Sequence, residues 1–229
     1  MTHYFLTISV GRTGSTLINS ILQDQLPGSA MNQEMKFNRV FNEMIKLHTK
    51  KLFIFDYQKE INLFIEELGS MSKYNNDKTD PIYWNVNPSR LNLRRKMSFE
   101  QIIKKTLAAI FGNDHKFTGC KMLLHPNDAK NPDAVKLLTK LCKIKNITVI
   151  HNIRDFQAMT ASRMSKKGFK NVVVSEDMFA AHCKLMSEVG SEIVRYEHLQ
   201  EDIQKLLSKL NLSFDLDKFK ETMSVKHSC

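Results

Sequence analysis

The sequence holds no run approaching the roughly 20 apolar residues that a membrane-spanning helix requires, so a helical membrane protein is not expected. Its four cysteines, Cys120, Cys142, Cys183 and Cys229, form no CxxC pair and have no metal-ligand spacing with the eight histidines. That pattern argues against a zinc module or a disulfide framework and reads as free thiols in a reducing compartment. On that reading the sequons at Asn146 and Asn211 are chance matches. The first strand-like run begins almost at Met1, which leaves no room ahead of it for a signal peptide or anchor, and a cytoplasmic location is expected. No internal repeat or low-complexity segment appears. Three signatures of phosphate and acyl chemistry are missing as well: G-x-x-x-x-G-K-[ST], G-x-G-x-x-G and G-x-S-x-G.

What is present is an ordinary globular composition, 42% hydrophobic and 25% charged over 229 residues, enough for one domain with a substantial core. The formal net charge is +10. Nucleic-acid binding explains such a charge, but the basic residues are spread along the chain. The densest groups, Arg90/Arg94/Arg95/Lys96 and Arg163/Lys166/Lys167/Lys170, are short and read mostly as solvated surface. A site for a highly anionic nucleotide or an acidic acceptor also favours a basic protein.

Tyr4 to Val10 is a β-branched and aromatic run, the pattern of a buried strand. Gly11-Arg12-Thr13-Gly14-Ser15-Thr16 breaks it, and Leu17, Ile18, Ile21, Leu22 and Leu26 follow at helical spacing. A strand, a glycine-bearing turn and a helix make an anion site. The first N–H groups of a helix lack internal partners, and the helix dipole adds positive charge there.

The rest of the chain alternates in the same way. Helical patterns cover Phe37 to His48 and Ile61 to Leu68, the second stopped by Gly69. Residues 70–97 are polar, hold Trp84 and have a basic end, and are expected to form a long functional loop or flexible insertion. Ser98-Phe99-Glu100-Gln101 is a capping box, and Asn131-Pro132 an N-cap with proline at the first helical position. Phe117 to Leu124, Ile147 to Ile153 and Glu192 to Tyr196 read as strands, with Ser175 capping a helix that ends at Gly190 and another helix running from Leu199 to Leu210. Strands alternating with helices predict a single α/β domain over 1–229, with three layers and a mostly parallel central sheet flanked by helices.

Arg12 to Leu17 (RTGSTL) resembles the 5′-phosphosulfate loop of sulfotransferases that use 3′-phosphoadenosine 5′-phosphosulfate (PAPS), whose carbohydrate and bacterial members typically carry R-[ST]-G-[ST]-[ST]-L after a strand. Two later segments extend the resemblance. The strand at 147–153 runs into Arg154-Asp155, with Ser162 eight residues after the arginine, as in the family's 3′-phosphate site. Val194-Arg195-Tyr196-Glu197-His198-Leu199 is similar to the family's [RL]-Y-E-[DH]-[LM]. The resemblance implies a P-loop-like sulfotransferase architecture. It implies that Arg12, Thr13, Gly14, Ser15 and Thr16 hold the 5′ end of PAPS, that Arg154 and Ser162 hold its 3′-phosphate, and that Tyr196 lies near the adenine. Glu197 is expected to orient loops.

The chemistry so implied is in-line sulfuryl transfer, releasing 3′,5′-bisphosphoadenosine (PAP), with Arg12 and the helix N–H groups stabilising charge and no metal required. A hydroxyl acceptor also needs a general base. Related carbohydrate, bacterial and tyrosyl enzymes often place a glutamate just after the first helix, where Glu34 stands, whereas the cytosolic branch uses a histidine, for which His125 is the candidate. An acid at Glu34 equally suits the first turn of the next helix. Lys121 is a further candidate to face the site.

The implied acceptor is a glycan, glycolipid or small hydroxyl compound, with Trp84 and residues 70–97 on its side of the site and no stable nucleic-acid partner. Lys166-Lys167-Gly168 lies too early to match the basic glycine loop of the cytosolic branch. Two other classes fit parts of the pattern. A P-loop-like kinase requires a lysine in the turn and an acid on Mg²⁺; a nucleic-acid binder shows steep salt dependence and no response to PAP.

Overall fold

Central strands of a parallel sheet are covered on both faces and read as near-continuous apolar runs. In the computed structural model, which describes residues 2–11, 13–32, 37–74, 88–112, 114–124, 130–165 and 174–225, with the backbone alone at 32, 68–74 and 88, β1 (His3–Ser9) is such a strand, buried from its second residue onward. It pairs in parallel with β3 (Phe117–Leu123) on one side and β4 (Ile147–Ile153) on the other. β2 (Ser29–Asn32) lies outside β3, and β5 (Glu192–Arg195) outside β4. The order β2-β3-β1-β4-β5 is parallel throughout, and nine α-helices flank it among the described residues, as the alternation predicts.

Side chains alternate between two cores. Tyr4, Leu6 and Ile8 of β1 point to one, built with α2 (Phe37–His48), α3 (Ile54–Tyr74), α4 (Phe99–Phe111), α5 (Pro132–Leu141) and the end of α7 (Glu176–Glu188). Phe5 points to the other, built with α1 (Ser15–Gln25), α8 (Leu199–Lys209) and α9 (Leu216–Ser224). The remaining helix, α6 (Phe156–Met164), follows β4 directly. Local signals act where expected. Ser98 forms the complete capping box of α4, and Asn131 and Ser175 cap α5 and α7 through side-chain acceptors.

Gly69 does not stop its helix. α3 begins at Ile54 and runs through Gly69 to Tyr74, since a lone glycine inside a long helix costs only about 1 kcal/mol. The expected loop at 70–97 is correspondingly shorter. Residues 70–74 are helical, and Leu91 and Leu93 are buried in the first core. Arg90, from one of the basic groups read mostly as solvated surface, pairs with Asp114 at 3.3 Å. Trp84 lies outside the described residues. Cys120, Cys142 and Cys183 are free thiols, and burial pushes Cys142 and Cys183 up to about 11.

One polar pair sits inside the first layer. His151 of β4 is fully buried, and its ring meets that of His182 of α7 edge-on at 4.8 Å between centroids. Neither ring nitrogen of His151 has a hydrogen-bond partner among the described residues. Burial, reinforced by the neighbouring His182, holds its pKa well below the ordinary imidazole value.

Candidate functional site

The chain leaves β1 toward β2 on one side, while from β4 it goes to β5 on the other. The carboxyl ends of β1 and β4 therefore flank the point where the winding reverses, the place where open parallel sheets bind ligands. The turn after β1 is anchored from below. Thr7 Oγ1 donates to Asn19 Oδ1 at 2.9 Å and Ser9 Oγ to Ser15 Oγ at 3.2 Å, so the polar positions of the strand fasten α1 to the sheet. Gly11 and Gly14 adopt φ of 86° and 88°. Gly14 is the N-cap of α1 and brings no side chain to it; no acid stands in the first turn, and no side chain caps the helix among the described residues. The leading N–H groups of α1 thus remain donors at the end of a dipole with no local counter-charge.

Gly14 is demanded by space as well as by φ. A Cβ there would collide with the ring of Tyr196, which enters from the short 3-10 turn Tyr196–His198 after β5. Against the same ring lies Arg154, from the end of β4, with its guanidinium carbon 4.3 Å from the ring centroid. The three segments that the sequence resemblance singles out therefore meet physically as a Gly14, Tyr196 and Arg154 stack.

Arg154 is not consumed by an ion pair among the described residues. Its Nε is buried with no hydrogen-bond partner among the described residues. The neighbouring Asp155 is occupied elsewhere, accepting from Ala158 N–H at 2.8 Å as the N-cap of α6. Glu197 acts as a loop orienter, accepting from the Asp155 N–H at 2.9 Å. A buried guanidinium N–H without a partner is costly, and an anionic group reaching it would satisfy it.

The other expected ligands fall into different positions. Ser15 is buried behind the turn, whereas Thr16 is exposed at the helix start. Thr13 is fully buried, and its hydroxyl donates to Asn152 Oδ1 at 2.6 Å. Ser162 is half-buried on α6, two turns from Arg154. The next residue, Arg163, donates to Val10 O at 3.2 Å, so this part of α6 lies beside the turn. Lys121 reaches over from β3, nearly buried, and Nζ donates to Thr16 Oγ1 at 3.3 Å.

Two of these residues depart from what the sequence suggests. Arg163, grouped with surface lysines, is buried beneath the turn, and burial lowers its pKa, although a guanidinium stays charged near neutrality. Asn152 carries no motif at all. A faint signal exists for it, since an asparagine inside the apolar run of β4 must find buried partners. Arg12, Glu34, His125 and Lys166 to Lys170 lie outside the described residues. Among the described residues no group of three or more His, Cys, Asp or Glu side chains forms a metal cage. No helix there is long and apolar enough to cross a membrane. The chain matches no family model and no curated protein.

Proposed function

We propose that this protein is a sulfotransferase that moves the sulfuryl group of PAPS to a hydroxyl or amine of a glycan, glycolipid or small-molecule acceptor and releases PAP. The observation that carries the reading is Arg154, whose buried, unpartnered Nε stands beside Tyr196 and the uncapped start of α1. Phosphate-bearing groups at both ends of an adenosine answer these two needs together. The turn and helix start take the 5′ end, and Arg154 with Ser162 takes the 3′-phosphate.

In the reaction the acceptor oxygen attacks sulfur while the bond from sulfur to the bridging oxygen of the 5′-phosphate breaks. The electron pair leaves on that oxygen, and the acceptor proton passes to a base, for which Glu34 is the first choice and His125 the alternative. N–H groups at the start of α1, with Arg12 and the Lys121 ammonium, meet the charge that builds on the leaving phosphate and the sulfonate. Catalysis of this kind rests on positioning and fixed positive charge rather than on covalent chemistry by the protein.

A thermal-shift comparison of PAP, PAPS and ATP–Mg²⁺ tests the reading. At a hundredfold excess over Kd a native-state ligand adds about 2.7 kcal/mol, which for a chain of this size raises Tm by roughly 5–10 °C. PAP and PAPS are expected to give that rise without metal. A rise confined to ATP–Mg²⁺ identifies a kinase-like site, and no rise with any of the three removes the nucleotide reading.

A further inference from the structure

Asn152 is fully buried near the carboxyl end of β4 and touches all three segments of the stack. Its Nδ2 donates to Val194 O at 3.3 Å, two residues before Tyr196, and leans toward Ile153 O at 3.4 Å, the residue before Arg154. Both of these partners are carbonyls and can only accept, so the amide orientation is fixed. Oδ1 must face Thr13, and the Thr13 hydroxyl must be the donor, at 2.6 Å. Among the described residues this is the hydrogen bond that ties the turn after β1, through Asn152, to the strand that delivers Tyr196, where Gly14 meets the Tyr196 ring only by packing. The turn is held a second time, independently, by Arg163 on the Val10 carbonyl. Loss of the Asn152 link therefore displaces the turn without releasing it.

We propose that Thr13 and Asn152 form a positioning pair that fixes the separation between the 5′ pocket at the start of α1 and the Arg154–Tyr196 pocket, so that a nucleotide is gripped at both ends only while the pair is intact. This rests on the donor-site reading above. Neither side chain touches the reacting atoms. The Thr13 hydroxyl is buried and spent on Asn152, and Asn152 acts through the backbone that carries Arg154 and Tyr196. Two rigidly spaced anion pockets favour a ligand whose two anionic groups match the spacing, and a ligand with one such group gains nothing from the spacing.

The test compares Thr13→Val, nearly isosteric but without the hydroxyl, with Thr13→Ser, which keeps it. Calorimetric Kd values are measured for PAP, adenosine 5′-phosphate and adenosine 3′-phosphate. Thr13→Val is expected to weaken PAP on the order of tenfold and each mononucleotide less than about twofold, with Thr13→Ser within about twofold of wild type for all three. Equal losses across the three ligands, or unchanged PAP binding, overturn the proposal. Amide hydrogen exchange without ligand gives an independent reading. Residues 14–17 and 194–196 are expected to exchange faster together in Thr13→Val, and a change confined to one segment, or to neither, overturns the link. Should the wild-type chain bind no nucleotide while both segments still respond, the link stands and the nucleotide reading fails.

Discussion

The guanidinium of Arg154 lies on the ring of Tyr196, 4.3 Å from its centroid, and the same ring fills the space that Gly14 leaves by lacking a side chain. One aromatic side chain thus touches both a cation and an uncapped helix start.

Arg154→Ala should weaken PAP by about 10–100-fold, the equivalent of one or two charge-assisted hydrogen bonds. Adenosine 5′-phosphosulfate, which has no 3′-phosphate, should lose less than about threefold. Arg154→Lys keeps the charge but not the planar fork, so it should recover only part of the loss. Calorimetric titration of both nucleotides decides the matter, and equal losses for the two contradict the 3′-phosphate assignment.

Gly14→Ala places a Cβ into Tyr196 and forces alanine to a φ of 88°. A destabilisation of about 1–3 kcal/mol is expected, together with loss of PAP binding. Combining it with Tyr196→Ala relieves the collision but not the backbone strain, so the double variant should be more stable than the sum of the singles implies. Denaturant titration of the four proteins measures that difference.

Glu34→Gln should leave the Kd for PAP unchanged and lower turnover by about 10²–10⁴-fold, the range for loss of a general base. Unchanged turnover would pass the role to His125, which the matching His125→Gln variant then tests directly.

Acidification should destabilise the fold below neutral pH. The pKa of buried His151 is held well below 6.5 by burial and by His182, whereas the unfolded chain titrates at the ordinary value. Between those two values the unfolded state binds a proton that the native state refuses. Stability therefore falls as pH drops through about 6.5, by at most ~1.4 kcal/mol per pH unit for this group. His3 and His48, also lowered chiefly by burial, add to the slope. His151→Leu should flatten the dependence of Tm on pH between 7 and 5, and an unaltered slope would move the effect to the other two.

The parts of the fold written in local chemistry were readable from the sequence. Ser98, Asn131 and Ser175 cap helices because a side-chain oxygen needs only its own neighbours to do so. The apolar runs of β1 and β4 read as strands from their own pattern, while their central place in the sheet depends on which strands pair with them. Gly69 misled because about four turns of preceding helix carry one unfavourable residue easily. α9, which has an Asp215 cap and packs Phe219 into the second core, is an addition to the expected helices, the last of which ends at Leu210. At the site, Gly14, Arg154 and Tyr196 were visible as separate motifs. Their contact was not visible, because it depends on which strands are neighbours. Arg163 and Asn152 were missed for that reason too, since burial of an arginine amid lysines is decided by the loop above it.

The strand order sets a delay during synthesis. His3 pairs with Phe117 and Tyr4 with Ile147, so β1 has no neighbour until more than a hundred further residues have been made. At ~5–20 residues per second the ribosome needs roughly 6–20 s to supply β3. For that interval an apolar, strand-prone stretch of the nascent chain is without its partner edges, and a chaperone that shields Tyr4 to Val10 would raise the yield of folded protein.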